Sequence, residues 1–234
     1  MPPLTDYEKY IRTQELLSLQ KPAAELSCHD ELQFQIVHQV AELWMRLIAH
    51  ELEHATQLVR GDELLSAIAT LRRVSRVQAL LLDQLGLLDT MAPKEYMTIR
   101  TVLGQGSGQE SPGFKTLLRL PGELVWPEVE KLLARCGVAL CTIYEDQRAN
   151  EMLFQLCEGL LDVDQALQLW RQRHLTLVYR IIGAGTPSLK GKPSELLERG
   201  SKQRFFPALW DVREEVFAEW TRTMPNQGKD TGYH

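Results

Sequence analysis

Apolar residues recur three and four positions apart over most of the chain, which is the spacing of one face of an α-helix. No stretch shows the strict alternation of apolar and polar residues that is typical of a half-buried strand. Breaks in the helical pattern occur at Lys21-Pro22 and at Gly61-Asp62. The pattern predicts a helix from Thr5 to about Gln20, a long helix from residue 29 to about Val59, a second long helix from about Glu63 to Leu88, and a short helix that begins at Pro93.

The second half of the chain begins with a glycine-rich, polar segment at 104–113, which is unsuited to a regular element. One or two helices are predicted over 127–160. Asp162 or Asp164 is expected to cap a further helix that ends at Gly183. The remaining predictions are a mobile loop at 184–194, a last helix from Pro207 to Arg222, and a disordered tail at 225–234.

The composition is that of an ordinary globular protein, with 44% hydrophobic and 24% charged residues. Together with the helical pattern it predicts one all-α domain over residues 1–224, packed as a bundle. The net charge of −5 offers no basic surface for nucleic acid, and every apolar run is shorter than the roughly 20 residues of a membrane span. The first residues contain no apolar signal core, so we expect no nucleic-acid or membrane partner and a cytoplasmic location.

Two histidines that are far apart in the chain lie on otherwise apolar helical faces. An imidazole on such a face needs a partner, which a heme iron or a buried ligand would supply. A core histidine that hydrogen-bonds a backbone carbonyl is the commoner alternative. The apolar neighbours at helical spacing are Phe34, Val37, Ala41, Trp44, Met45 and Ile48 for His38, and Leu167, Trp170, Leu177, Val178 and Ile181 for His174.

A second histidine motif occurs in the first long helix. His50, Glu51 and His54 have the spacing HExxH, in which two histidines on one helical face hold zinc and the glutamate serves as general base. The sequence marks no third ligand, and polar residues follow on the same helix. A solvent-exposed pair of histidines is therefore expected, with a zinc hydrolase as the alternative.

Five stretches of the chain resemble, in order, segments of the tryptophan 2,3-dioxygenase family. They are YEKYIRTQELLSLQ, HDELQFQIVHQVAELWMRLIAHEL, LLDTMAPKEYMTIRTVLGQGSGQES, LDVDQALQLWRQRHLTLVYRIIG and RFFPALWDVR. The resemblance implies the family's all-α helical bundle, with a heme b between long helices, and assembly as a homotetramer or homodimer. It also implies a heme-dependent oxidoreductase whose partners are L-tryptophan, or a derivative of it, and O₂.

The resemblance implies a role for each residue that matches a family motif. His174 would be the axial ligand of the heme iron, and His38 would hydrogen-bond the indole N–H of the substrate as the catalytic residue. Arg100 would bind the substrate carboxylate, because its planar guanidinium matches a carboxylate in two hydrogen bonds. The other implied substrate contacts are Phe34, Tyr96, Ser107, Gly108 and, from the segment that in the family reaches a neighbouring subunit, Tyr7 and Tyr10.

The chain departs from the family in three places. It is short between the glycine-rich segment and the helix of the proximal histidine. Gln109 and Glu110 stand where the family places an aromatic residue and then glutamine. The sequence at 184–194 differs from the family's loop that closes over the substrate ammonium, and Thr186 and Ser188 are its candidate hydroxyl donors. A shortened and diverged family member is therefore expected.

The resemblance therefore implies an enzyme that adds oxygen from O₂ across the indole C2=C3 bond of L-tryptophan or a close derivative. Insertion of both oxygens, which opens the ring to N-formylkynurenine, is the expected outcome. Insertion of one oxygen, which gives an oxindole or hydroxylated product in a biosynthetic pathway, is the alternative. A helical binding module without heme is the alternative from another class of function.

Overall fold

The computed structural model describes residues 3–104, 106, 108–184, 200 and 202–223, and of Gln109 the backbone alone. Every regular element within these residues is helical, which confirms the predicted all-α class. The helices are α1 (Asp6–Ile11), α2 (Thr13–Leu17), α3 (Glu31–Arg60), α4 (Leu64–Asp83), α5 (Leu85–Leu88), α6 (Pro93–Val102), α7 (Pro112–Leu120), α8 (Trp126–Cys136), α9 (Leu140–Glu145), α10 (Glu151–Ile182) and α11 (Pro207–Thr223). Ser107, Thr186, Ser188, the predicted loop beyond Ala184 and the predicted tail lie outside the described residues.

Three long helices form the centre of the bundle, and α4 packs against both α3 and α10. Their apolar faces meet at side chains such as Leu52, Leu71 and Leu160, each 1% exposed. Gly159 lies inside α10, where a Cβ atom would stand 3.3 Å from the Leu71 side chain. A glycine inside a helix costs about 0.5–1 kcal/mol relative to alanine. Here it lets α10 approach α4 closely, so packing offsets that cost.

The connection between α3 and α4 follows the predicted break. The chain turns at Gly61 and at Asp62, whose φ of 60° lies in the left-handed region that aspartate tolerates. Asp62 also accepts a hydrogen bond from the Arg135 guanidinium of α8 at 2.6 Å. The predicted ends at Val59 and Glu63 lie one residue from the observed ends, so these boundaries are confirmed within the usual uncertainty of helix ends.

Two predicted continuous helices are divided. Thr5 caps α1 as expected, and its Oγ1 accepts the N–H of Glu8 at 3.2 Å. Arg12 then adopts a φ of 55°, which separates α1 from α2. The helix expected to reach Leu88 ends at Asp83, and the short α5 completes it. Sequence periodicity continues through both breaks, so the predicted continuity was wrong in these two places.

The helix that carries His174 is longer than predicted. It begins at Glu151 and runs unbroken for 32 residues to Ile182, with Gly183 at its end as expected. Asp164 is not a cap, because it lies in the middle of α10 and is fully buried. Its Oδ2 accepts hydrogen bonds from the backbone N–H groups of Phe205 and Phe206. Asp164 therefore joins α10 to the segment before α11 and does not begin a helix.

Buried apolar residues form two clusters. The larger one fills the space between α3, α4, α7, α8, α10 and α11. The smaller one lies where the first half of α3 and the second half of α10 meet α5 and α6, and its buried members are Val37, Leu85, Leu88, Met91, Ile99 and Leu177. In the part of the chain that the structure describes, no helix has the length and apolar character needed to cross a membrane.

Candidate functional site

The smaller apolar cluster brings the two distant histidines to one end of the bundle. His38 follows the buried Val37 on α3, and His174 lies three residues before the buried Leu177 on α10. Phe34, Tyr96, Trp170 and Ile181 are among the residues that pack against the same cluster. The two imidazoles interact electrostatically, because a positive charge on His38 lowers the pKa of His174. The fold therefore joins the two apolar histidine faces that the sequence singled out.

His38 lies on α3 one residue after Val37, a buried member of the smaller apolar cluster. Its side chain is exposed, yet the protein around it desolvates the imidazole and lowers its pKa, against opposing contributions from the Phe34 carbonyl and Glu42. The Nδ1 atom lies 2.7 Å from the carbonyl oxygen of Phe34. Since a carbonyl only accepts hydrogen bonds, Nδ1 carries the proton and the neutral ring presents a bare Nε2 as an acceptor.

His174 is half-buried and has no hydrogen-bond partner for its ring among the described residues. Burial is the main cause that lowers its pKa to about 4, so the imidazole is neutral at physiological pH. Its ring stacks on that of Trp170, with centroids 5.3 Å apart and an angle of 12° between the planes. The Trp170 indole is itself fixed by donating a hydrogen bond to the carbonyl of Leu81 at 3.1 Å.

These features are those of a histidine that could hold a heme iron. A metal ligand must be a neutral imidazole with a free ring nitrogen, and His174 has both properties. The apolar side chains of Leu177 and Ile181 lie on the same face of α10 as His174.

The third wall of the site comes from α6. Tyr96 lies next to Phe34, with ring centroids 6.3 Å apart, and Arg100 follows Tyr96 by one turn. Burial raises the pKa of the Tyr96 phenol, and the positive charge of Arg100 opposes that shift. Arg100 is half-buried and close enough to Tyr96 to act on it electrostatically. The aromatic rings of Phe34 and Tyr96 therefore lie near the positively charged Arg100.

Three of the other predicted site residues, Tyr7, Tyr10 and Gly108, are exposed in the described part of the chain. Tyr7 and Tyr10 are 71% and 87% exposed, and α1 contains no buried residue. Gly108 is exposed at the start of a 3-10 turn, Gly108–Glu110. The structure describes neither Ser107 nor the two hydroxyl candidates of the loop after α10.

The HExxH motif does not form a metal site in the described part of the chain. His50 and His54 are exposed, as expected. Glu51 is buried and accepts two hydrogen bonds from Nη1 of Arg73, both at 3.0 Å. No group of three or more potential metal ligands occurs among the described residues. A glutamate held by an arginine is poorly placed to act as general base, so the structure gives the zinc hydrolase no support.

Reasoning from the sequence missed one residue of the site and left the role of another undefined. Trp170, expected only as an apolar neighbour of His174, packs against both apolar clusters and also stacks on the His174 ring. Its position four residues before His174 was the available signal. Glu42 was not singled out at all, although it lies four residues after His38 and contacts the start of α7. No local signal marks that second contact, because it joins residues 71 positions apart.

Comparisons with known proteins identify a family that this chain resembles over most of its length. The family model described as tryptophan 2,3-dioxygenase matches residues 4–125. A protein named tryptophan 2,3-dioxygenase from Myxococcus xanthus (strain DK1622) is 32% identical over 94% of this chain and 93% of its own length. Similar proteins of the same name come from Bacillus thuringiensis subsp. konkukian (strain 97-27), at 32% identity over 90% of this chain and 92% of the relative, and from Arthrobacter sp. (strain FB24), at 31% over 90% and 91%.

The alignment with the first of these relatives spans 272 positions, which is more than the 234 residues of this chain. This chain therefore lacks residues that the relative has. The match to the family model ends at residue 125, before the helix that carries His174. The first finding agrees with the expectation of a shortened member of the family.

Proposed function

The chain belongs to the tryptophan 2,3-dioxygenase family, and from that premise we propose that it is a heme-dependent oxygenase that acts on L-tryptophan. The observation that carries the proposal is that two neutral histidines lie at one apolar cluster. They differ in their hydrogen bonds. His174 has no hydrogen-bond partner among the described residues, and His38, whose Nδ1 lies 2.7 Å from the Phe34 carbonyl oxygen, keeps Nε2 as an acceptor.

His174 would hold heme b through a ring nitrogen. The heme supplies the O₂ chemistry that no side chain can supply, and the protein contributes binding, orientation and exclusion of water. Stacking on Trp170 would fix the plane of the His174 imidazole and limit its rotation. The low pKa of His174 keeps the proton from competing for the nitrogen that a metal needs.

His38 would orient the substrate by accepting the indole N–H at Nε2. The Phe34 carbonyl holds the other ring nitrogen, so the tautomer is set before the substrate arrives. A neutral acceptor is suited to hold the N–H proton in place without removing it. The indole C2=C3 bond is electron-rich while that proton stays, and addition of oxygen there needs no general base.

Arg100 would bind the carboxylate of tryptophan, and Tyr96 and Phe34 would pack against the indole. These three side chains form an aromatic wall that ends in a cation, which matches a substrate with an aromatic ring and an anionic end. The other proposed contacts are Ser107 and Gly108 of the glycine-rich segment, Thr186 and Ser188 of the loop after α10, and Tyr7 and Tyr10 of a second copy of the chain.

We propose dioxygenation as the outcome, since the relatives carry that name and the atoms balance without another reactant. L-Tryptophan and O₂ together give N-formylkynurenine, with both oxygen atoms retained in the product. Insertion of one oxygen requires two electrons and two protons to convert the other atom to water. The comparisons offer no support for that second outcome. Assembly as a homotetramer or homodimer is proposed from the family alone, and a single domain and a cytoplasmic location stay predictions of the sequence.

The test is an absorption spectrum of protein supplied with heme, followed by L-tryptophan and ¹⁸O₂ after reduction to the ferrous state. We expect a histidine-ligated Soret band that shifts with tryptophan, and a product that carries two labelled oxygens. One labelled oxygen would select the mono-oxygenase. No heme uptake by the folded protein would refute the proposal.

The ligand assignment is tested by His174→Ala, with His50→Ala as the matched control on an exposed helical face. The first variant should lose the Soret band, and added imidazole should restore part of it by occupying the vacated ligand position. The control should keep the band. Full heme retention by His174→Ala would remove His174 as the ligand.

A further inference from the structure

Glu42 joins the helix of His38 to the start of α7. It lies four residues after His38 and therefore on the same side of α3. Its Oε1 accepts a hydrogen bond from the hydroxyl of Ser111, and its Oε2 accepts the backbone N–H of Gly113 at 3.0 Å. Both carboxylate oxygens are thus occupied by the first residues of α7, where the helix dipole also favours a negative charge.

The approach of the two helices at this point is too close for any side chain at position 113. A Cβ atom on Gly113 would stand 2.7 Å from Oε2 of Glu42 and 2.8 Å from Cβ of Met45. The first contact could be relieved by moving a flexible side chain, but the second involves an atom that is fixed to the backbone of α3. The contact between Glu42 and α7 therefore depends on glycine at this position.

Ser111 extends the contact to the glycine-rich segment. Its hydroxyl caps α7 by accepting the N–H of Phe114 at 2.9 Å. Its own N–H donates to the carbonyl of Gly108 at 3.2 Å and closes the turn Gly108–Glu110. A continuous set of hydrogen bonds thus runs from Gly108 through Ser111 to Glu42, one helical turn from His38.

We infer that Glu42 is a positioning residue for the substrate, which fixes the turn that begins at Gly108 in relation to His38. The inference rests on the proposed function, in which Gly108 and His38 both contact tryptophan. Glu42 touches neither the substrate nor the cofactor in this account. It sets the distance between two edges of the site before the substrate binds. The negative charge of Glu42 also acts on His38, where it favours the protonated form.

The contact itself can be tested without heme by hydrogen exchange of the apoprotein. In Glu42→Ala the amides of Gly113 and Phe114 should exchange about tenfold faster, because the acceptor of one is lost and the cap of the other is released. Glu42→Gln retains an oxygen acceptor and should show a smaller increase. Glu53→Ala, at an exposed position of the same helix, should leave these amides unchanged. Unchanged exchange in Glu42→Ala would overturn the inference.

The consequence for the site is tested by titrating the ferrous, heme-loaded proteins with L-tryptophan and following the Soret band. Glu42→Ala should bind heme as the wild type does and bind tryptophan about tenfold more weakly. Gly113→Ala should reproduce this loss with Glu42 still in place. Alanine is otherwise the better helix former at position 113, so a gain in stability with normal tryptophan affinity would also overturn the inference.

The two possible failures are distinguishable in the same titration. A wild-type protein without heme uptake or without a tryptophan response overturns the proposed function and this inference with it. A normal wild-type response combined with an unchanged tryptophan affinity in Glu42→Ala overturns the positioning role alone.

Discussion

Asp164 offers the sharpest test of how the fold is held together, because one buried oxygen receives three donors. Its Oδ2 accepts the N–H groups of Phe205 and Phe206 at 2.9 and 3.2 Å and the indole N–H of Trp210 at 2.9 Å. These bonds tie α10 to the segment that leads into α11. Gln168 donates to the other oxygen at 2.9 Å. Replacing Asp164 with alanine removes every one of these acceptors at once.

The loss of unfolding free energy in Asp164→Ala depends on which of the donors are buried, because a buried donor cannot bond to water instead. Asp164 and Phe206 are 0% exposed and Phe205 is 7% exposed, whereas Trp210 is half-buried. A buried donor that loses its partner costs about 1–3 kcal/mol. Two such backbone donors give about 2–6 kcal/mol, and the indole of Trp210 adds little because water can reach it. We therefore expect Asp164→Ala to lower the free energy of unfolding by about 4 kcal/mol.

Asp164→Asn separates the acceptor from the charge. The amide oxygen can take the place of Oδ2, and the side chain of Gln168 can rotate to accept from the new amide. Charge-assisted hydrogen bonds are about twice as strong as neutral ones, so this variant should lose about 1–2 kcal/mol. The matched control is Asp162→Ala, an exposed aspartate two residues away on α10, which should change stability by at most about 0.5 kcal/mol.

Urea unfolding of the apoprotein, followed by circular dichroism at one protein concentration, measures all three variants. The expected order of destabilisation is Asp164→Ala, then Asp164→Asn, then Asp162→Ala. If Asp164→Ala unfolded at the same urea concentration as Asp162→Ala, the reasoning from buried donors would be refuted.

Four further predictions follow from the site and its surroundings. His38→Ala should bind L-tryptophan more weakly than the wild type yet remove the preference of the site for L-tryptophan over 1-methyl-L-tryptophan, which lacks the N–H; a preference that survives in the titrations would contradict the hydrogen bond. Arg100→Lys should raise the KM for L-tryptophan about tenfold, because a lysine cannot hold a carboxylate in two parallel bonds, while binding of tryptamine, which has no carboxylate, should not change. The hydrogen bond from Lys21 is the main cause that lowers the pKa of Glu31 from 4.5 to about 2, so Glu31→Gln should lower the free energy of unfolding at neutral pH. In urea titrations at several pH values, the difference in stability between the two proteins should disappear as the pH falls from 4.5 to about 2. Removal of divalent metals with a chelator should leave the oxygenase rate unchanged, because Glu51 is held by an arginine; a loss that zinc restores would revive the hydrolase alternative.

The local pattern of the chain was sufficient for the helical class and for several boundaries. Apolar residues at helical spacing predicted α3, α4 and α6, and glycine marked the ends of α3 and α10, because both signals act over a few neighbouring residues. The same pattern could not detect the breaks at Arg12 and Gln84, where periodicity continues while the backbone turns. The helix over Pro112–Leu120 was not predicted, because the glycine-rich residues before it obscured its start.

For the candidate site too, some features were predictable from the sequence and others required the tertiary structure. The sequence by itself determined that His38 and His174 lie on apolar helical faces. The resemblance of the surrounding segments to the family gave each histidine a role, which stays a prediction. Only the tertiary structure decided that both faces contribute to one apolar cluster, that Trp170 stacks on the His174 imidazole, and that Glu42 joins α3 to α7. Asp164 shows the reason most clearly. A buried aspartate and a capping aspartate look alike in sequence, because they differ only in which groups donate hydrogen bonds to them. The donors to Asp164 lie about 40 residues further along the chain, and the residues next to Asp164 do not indicate which distant groups will contact it.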